Sequence, residues 1–152
     1  MKKLFLFASL ITLGLAMTAK AEEKDLETGK KIYTSDEIQT CENRDDIKCV
    51  KTKHGPGFVV DGIVQEKYPD GTLKKETPYR GGYRYGLERV YYEVKMPWDK
   101  PGHIQYENTY KYGELQIRKE YYENGSIKMI INHKDGTNQV YREDGTLRSK
   151  NK

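Results

Sequence analysis

Apolar and polar positions alternate along the second half of the chain. Leu115, Ile117, Lys119 and Tyr121 alternate with Gln116, Arg118, Glu120 and Tyr122, and Ile127, Met129, Ile131 and His133 alternate with Lys128, Ile130 and Asn132. A period of two sends successive side chains to opposite faces, so these stretches predict strands with two unlike faces. Upstream, Phe58-Val59-Val60 and Ile63-Val64-Gln65-Glu66-Lys67-Tyr68 flank Asp61-Gly62 and read as strand, tight turn, strand. The same turn signal stands at Asp70-Gly71, Asn124-Gly125 and Asp144-Gly145, with further Gly turns at Gly81-Gly82, Gly86, Gly113 and Asp135-Gly136. Gly, or Asn and Asp beside it, takes the positive φ that such turns demand.

These turns keep a register. The aromatic, Asp-Gly and aliphatic order of Tyr68-Pro69-Asp70-Gly71-Thr72-Leu73 returns as Gly102 with Ile104, Gly125 with Ile127 and Gly145 with Leu147, in units of 31, 23 and 20 residues. Eight positions past the Gly lie Tyr79, Tyr110 and His133, and eleven past it lie Gly82, Gly113 and Gly136. Four points held in register across unequal units mark an internal repeat. The expected fold is therefore all-β: an antiparallel meander of stacked β-hairpin repeats in one elongated sheet, each unit contacting mainly its neighbours.

The N-terminus follows other rules. Met1-Lys2-Lys3, the apolar run Leu4 to Met17 and Thr18-Ala19-Lys20-Ala21 match a signal peptide over residues 1–21. No Cys lies near Ala21, which predicts a soluble periplasmic or secreted product beginning at Glu22. Residues 22–53 form a polar lead-in and a short, irregular, disulfide-linked segment, residues 54–149 the repeats and residues 150–152 a basic tail. Thr34-Ser35-Asp36-Glu37 suits a short helical turn. Cys41 and Cys49 are the two cysteines of the chain, and export places them where disulfides persist. Closing so short a loop contributes about 2–3 kcal/mol in the chain-entropy account. Their spacing, with no adjacent His, falls short of a zinc set, and Asp45 and Asp46 read as solvated turn residues without a calcium-loop pattern, so no metal or cofactor is expected.

Charge narrows the partners. The formal net charge of +4 includes Lys2, Lys3 and Lys20, so the mature chain carries 24 bases against 23 acids, or +1, and shows no electrostatic footprint for nucleic acid. All thirteen Tyr are in the mature part. Tyr supplies apolar area while its hydroxyl stays wet, so a thin core between Tyr-rich faces is expected.

Tyr-Pro-Asp-Gly-Thr-Leu-Lys-Lys-Glu (68–76), Tyr-Arg-Gly-Gly-Tyr-Arg-Tyr-Gly-Leu-Glu-Arg-Val-Tyr-Tyr-Glu (79–93) and Glu-Tyr-Tyr-Glu-Asn-Gly-Ser-Ile-Lys (120–128) resemble the MORN-repeat variant of bacterial exported proteins. The resemblance spans residues 62–149 and implies stacked hairpins in an elongated sheet. Some members carry the label of antitoxin component of a toxin–antitoxin pair. Gln116 stands where the pattern has its second Gly, so irregular packing is expected of the C-terminal units.

One hairpin is enlarged: Val94-Lys95-Met96-Pro97-Trp98-Asp99-Lys100-Pro101 fill a turn for which the sibling units use two residues. An enlarged tip on a rigid sheet is a place for binding residues, and Trp is enriched at hot spots. Met96, Trp98, Tyr92 and Tyr106 are the candidate contacts. Equally, Trp98 folds back over the sheet edge and Met96 fills the gap, with no partner. His54 sits in a Gly-Pro breaker, His103 follows a turn Gly and His133 replaces a repeat Tyr. No nucleophile, metalloprotease, phosphate-loop or dinucleotide motif appears, so the expectation is a binding module without catalysis. Its partner is another protein, in one version a single toxin that it neutralises, or else an envelope polysaccharide or lipid surface. A monomer and a dimer paired through sheet edges are both compatible with the pattern.

Overall fold

The computed structural model describes residue 24 and residues 29–42, 44–96 and 102–151. The expected signal peptide lies outside the described residues, as does Trp98. The elements in order are β1 (Ile32–Thr34), a 3-10 turn (Ser35–Glu37), β2 (Ile38–Cys41), β3 (Arg44–Thr52), β4 (Gly55–Val59), β5 (Gly62–Lys67), β6 (Leu73–Arg80), β7 (Tyr83–Arg84), β8 (Gly86–Tyr91), β9 (Ile104–Lys111), β10 (Glu114–Tyr121), β11 (Ile127–Asn132), β12 (Thr137–Tyr141) and β13 (Leu147–Asn151). From β5 onward the chain is the expected antiparallel meander, β5-β6-β8-β9-β10-β11-β12-β13, with β7 a short extension paired to β6. β1 adds to the outer side of β5 in parallel. β2, β3 and β4 form a separate antiparallel sheet.

The turns at Gly71, Gly125, Gly136 and Gly145 close in the same way. The Asp70 carboxylate accepts from the Thr72 amide at 2.9 Å and its hydroxyl at 2.6 Å. Asn124 does this for Ser126, and Asp144 and Asp135 do it for Thr146 and Thr137. Such side-chain turns hold Asx-Gly tips without a core. Behind the tips at Gly71, Gly102, Gly125 and Gly145 the ladder slips by one residue. Leu73 pairs Lys67 but Lys75 pairs Glu66, leaving Lys74 as a bulge. Gln105, Lys128 and Arg148 are bulged at the equivalent place. The slip aims the aliphatic residue two past the Gly at the end of the preceding strand: Ile104 pairs Tyr91, Ile127 pairs Tyr121 and Leu147 pairs Tyr141.

A second device joins one repeat to the next. The Tyr68 hydroxyl donates to the Tyr91 carbonyl at 2.9 Å, Tyr92 to Tyr121 at 3.0 Å and Tyr122 to Tyr141 at 2.9 Å. In the last unit the corresponding residue, whose amide likewise closes the turn, is Arg142. The Tyr-Tyr pairs of the sequence therefore divide their work. Tyr92 and Tyr122 reach forward to the next unit, whereas Tyr91 and Tyr121 donate to Glu76 and Glu107 at 2.8 and 2.7 Å.

The core lies at the N-terminal end of the meander. Val60, Tyr33 and Val64 are buried there against Ile38, Val50 and Tyr79. The small sheet is fastened down by backbone bonds: Lys48 N donates to Gly82 O at 2.9 Å and Gly82 N to Val60 O at 2.8 Å. Gly82 has φ +81°, and a Cβ there would run into the Ile47 methyl and the Lys48 carbonyl, so this contact needs glycine.

Several expectations change. The Cys segment is regular, since β1, β2 and β3 run through it, while the short helical turn expected after Thr34 is present as a 3-10 turn. The disulfide between Cys41 and Cys49 is present, with Cα atoms 5.1 Å apart, and links β2 to β3. Asp61-Gly62 is no hairpin, because β4 joins the small sheet and β5 the large one. Gly62 instead makes room for β1: a Cβ there would meet the Lys31 carbonyl and the Tyr33 ring. Gly86, at φ +107°, opens β8 directly after β7 rather than making a turn. Residues 150 and 151 belong to strand β13. The irregularity expected from Gln116 shrinks to one bulge between Leu115 and Ile117, and β10 to β13 pair continuously.

Candidate functional site: a polar cleft between the two sheets

Of the four residues picked from the enlarged hairpin, Trp98 lies outside the described residues, and the other three are placed as follows. Tyr92 spends its hydroxyl on the Tyr121 carbonyl. The Tyr106 ring is covered by the Arg118 guanidinium, 4.4 Å from its centroid. Met96 is half exposed. His103 donates from Nδ1 to the Glu123 carbonyl at 2.9 Å, so it stitches one turn to the next.

A concave feature among the described residues lies elsewhere. Where the N-terminal end of β3 stands over the meander, a cleft of about 500 Å³ opens, within the range of small-ligand sites. Asp45, Asp46 and Lys48 of β3 make one wall, and Thr77, Glu88 and Arg84 belong to the facing one. Asp45 and Asp46 are not turn residues, as the spacing suggested, but strand residues at the mouth. The wall is pinned by Arg44, whose Nη2 donates to the Tyr83 hydroxyl at 3.0 Å.

The floor holds a buried carboxylate. Glu88 is 5 % exposed, and accepts from Thr77 Oγ1 at 2.8 Å and from Asn108 Nδ2 at 2.9 Å. Its cross-strand partner is Asn108, so the network follows the ladder register. A buried carboxylate persists only when its lone pairs are satisfied and a cation is near. Lys75 is that cation. Burial pulls its ammonium pKa down, but the hydrogen bond and charge of Glu66, with Glu88 adding to them, outweigh burial and raise it above the ordinary lysine value. Asn108 is buried and its Oδ1 has no partner among the described residues.

Arg84 lies across the mouth from β3. Its guanidinium carbon is 4.2 Å from the Tyr110 ring centroid, and its Nη1 donates to the Tyr110 hydroxyl at 2.8 Å. Burial and then the charge of Glu88 raise the Tyr110 pKa, against the opposing effect of Arg84. Burial likewise raises Tyr79. These phenols are neutral donors and acceptors at physiological pH. Among the described residues no cluster of His, Cys, Asp and Glu could hold a metal ion. The arrangement can bind polar groups of both signs.

Comparison with known proteins agrees with the repeat register. The sequence model of the MORN repeat variant matches residues 60–80 and 117–135. Two stretches of this chain are similar to the MORN repeat variant. The first runs from Val60 through strand β6, and so supplies Thr77 and Tyr79 to the cleft. The second covers most of β10, all of β11 and the turn beyond. No curated protein and no solved structure is significantly similar to the chain.

Sequence reasoning missed the cleft because its residues run from Asp45 to Gly113 and meet only when the small sheet folds over the large one. The available signal was Gly82 within the repeat, which marks a close backbone approach when read for packing rather than as a turn.

Proposed function

We propose that this protein is an exported, non-catalytic binding module in which MORN-variant repeats build a rigid sheet and the N-terminal sheet completes a recognition cleft for a polypeptide partner. MORN repeats are generally associated with binding and interaction, which is the broad class the repeat match supports. The observation that carries the site is the preformed concavity whose two walls are held in place by backbone hydrogen bonds at Gly82 and by the Arg44 to Tyr83 bond. A site set on strands and locked by packing loses little entropy when it binds. The disulfide fits an oxidising compartment, and among the described residues no helix is long and apolar enough to cross a membrane.

The test is affinity capture from the envelope fraction of the native cell with the chain from Glu22 onward as bait, beside Asp46→Lys and Trp98→Ala. Recovery of one protein by wild type, lost with Asp46→Lys and kept with Trp98→Ala, is the expected result. Loss with Trp98→Ala alone would move the site to the enlarged hairpin. Capture of no protein by wild type would count against a polypeptide partner.

A further inference from the structure

The two walls of the cleft carry charge excess of opposite sign. Asp45, Asp46 and Lys48 leave the β3 wall with one extra acid, and Lys75, Arg84 and Glu88 leave the meander wall with one extra base. Hydrogen bonding sharpens the contrast. Lys48 is committed, since its Nζ donates to Thr40 Oγ1 at 2.9 Å. Lys75 is committed to Glu66. Glu88 is committed to Thr77 and Asn108. What stays available is the pair of carboxylates on one side and a guanidinium on the other. Asp45 and Asp46 are exposed and have no hydrogen-bond or ion-pair partner among the described residues, and Arg84 uses one N–H on Tyr110. Among the described residues no ion pair joins Arg84 to either aspartate across the gap. A cleft with acid on one wall, base on the other and space between them is complementary to a ligand with a cation at one end and an anion at the other.

Resting on the reading of the cleft as the binding site, we propose that, beside its protein partner, the cleft admits a short peptide free at both ends. Its ammonium is held by Asp45 and Asp46 and its carboxylate by the Arg84 guanidinium, whose planar fork suits a carboxylate. A pure anion meets Asp45 and Asp46, and a pure cation meets Arg84, so each lacks half of the attraction and gains a repulsion. Tyr79, Tyr83 and Tyr112 also line the cleft, offering phenol rings and hydroxyls to the peptide between its charged ends.

The experiment is a titration of the isotope-labelled chain from Glu22 onward with a pooled library of free di- and tripeptides, followed by amide chemical shifts. The same peptides blocked at the N-terminus, at the C-terminus or at both are titrated in parallel, with an uncharged oligosaccharide beside them. Free peptides are expected to move the amides of β3, β7 and β8. Blocking either end should weaken binding by about tenfold or more, the worth of a charge-assisted hydrogen bond. Asp45→Asn with Asp46→Asn should erase the preference for a free N-terminus and Arg84→Gln the preference for a free C-terminus, each variant keeping the wild-type shifts of β10 to β13 as its control for folding. Equal binding of free and blocked peptides would overturn the two-ended ligand and leave the cleft as a peptide site. Shifts with oligosaccharide alone would overturn the peptide and keep the cleft. No shifts with any probe would overturn this proposal, and if Asp46→Lys also left protein capture intact, the cleft itself would fall as the binding site.

Discussion

The meander is one sheet with two unequal halves. In its N-terminal half Val64, Thr77, Glu88, Val90, Asn108 and Tyr110 are buried, with the small sheet over part of that face. In its C-terminal half, from β10 to β13, no described residue is buried, although Leu115, Met129, Ile131 and Val140 are apolar and in regular strands. The turn, the bulge and the tyrosine bond between units are the same in both halves. Repeats therefore suffice to build the sheet, and a cover is needed to build a core and a site. The C-terminal half stands on cross-strand pairs, side-chain turns and hydroxyl bonds, each worth little alone.

The comparison breaks most visibly at two glycines with nearly the same backbone. Gly82 (φ +81°) sits under Ile47, whereas Gly145 (φ +83°) has open space where a Cβ would stand. Gly82→Ala should destabilise by about 3 kcal/mol, combining left-handed strain with overpacking. Gly145→Ala should destabilise by about 1 kcal/mol, from strain alone. Urea unfolding midpoints check both, and equal losses would mean that the cover is not what distinguishes the halves.

Next in size is the disulfide. Cys41→Ser with Cys49→Ser should cost about 2–3 kcal/mol through the unfolded chain. Amide exchange should accelerate in β2 to β6 while β10 to β13 keep their rates, and uniform acceleration would show that the two halves unfold as one unit. Removing one hydroxyl bond between units is milder. Tyr122→Phe and Tyr68→Phe should each lose about 1 kcal/mol. The loss at Tyr122 should appear as local fraying of β12 and β13, and the loss at Tyr68 as a shift of the global midpoint.

Alkaline pH gives the smallest and most graded contrast. Burial, then the hydrogen bond to Glu107 and its charge, push the Tyr121 pKa up to about 12 from an ordinary 10.0. Burial and Glu76 act on Tyr91 in the same order, and raise it further. A raised phenol pKa favours the neutral folded form. Its stabilisation is whole below pH 10, the ordinary value, and fades as pH climbs toward about 12 for Tyr121. Phenolate absorbance should therefore appear with loss of β10 to β13 before Tyr91 ionises. The reverse order would place the weaker half at the N-terminal end.

Much of this architecture was legible in the sequence. Asp70-Gly71-Thr72, Asn124-Gly125-Ser126 and Asp144-Gly145-Thr146 carry their turn chemistry within three residues, so the hairpins and their order could be read locally. The 3-10 turn after Thr34 and the Cys41–Cys49 pair were readable for the same reason. Asp61-Gly62 misled because its local signal is that of a hairpin, while the docking of β1 onto Gly62 depends on residues about thirty positions away. Nothing in the spacing of Tyr92 and Tyr106 reveals that one hydroxyl meets a carbonyl in the next repeat and that one ring lies under an arginine. The cleft was invisible for a further reason: it belongs to neither sheet by itself.

The tyrosine bonds between units also give the array a polarity. Each hydroxyl is handed forward, from Tyr68 to Tyr91, from Tyr92 to Tyr121 and from Tyr122 to Tyr141, and the hand-over stops at Arg142, which has no phenol to offer. A tandem duplication of the Tyr122 unit in place would thus bring its own donor and meet a ready acceptor, lengthening the ribbon without new chemistry. The same unit joined beyond Lys152 would arrive with no hand reaching for it unless Arg142→Tyr came first. Growth from within and growth from the end are therefore unequal for this molecule, and one side chain sets the difference.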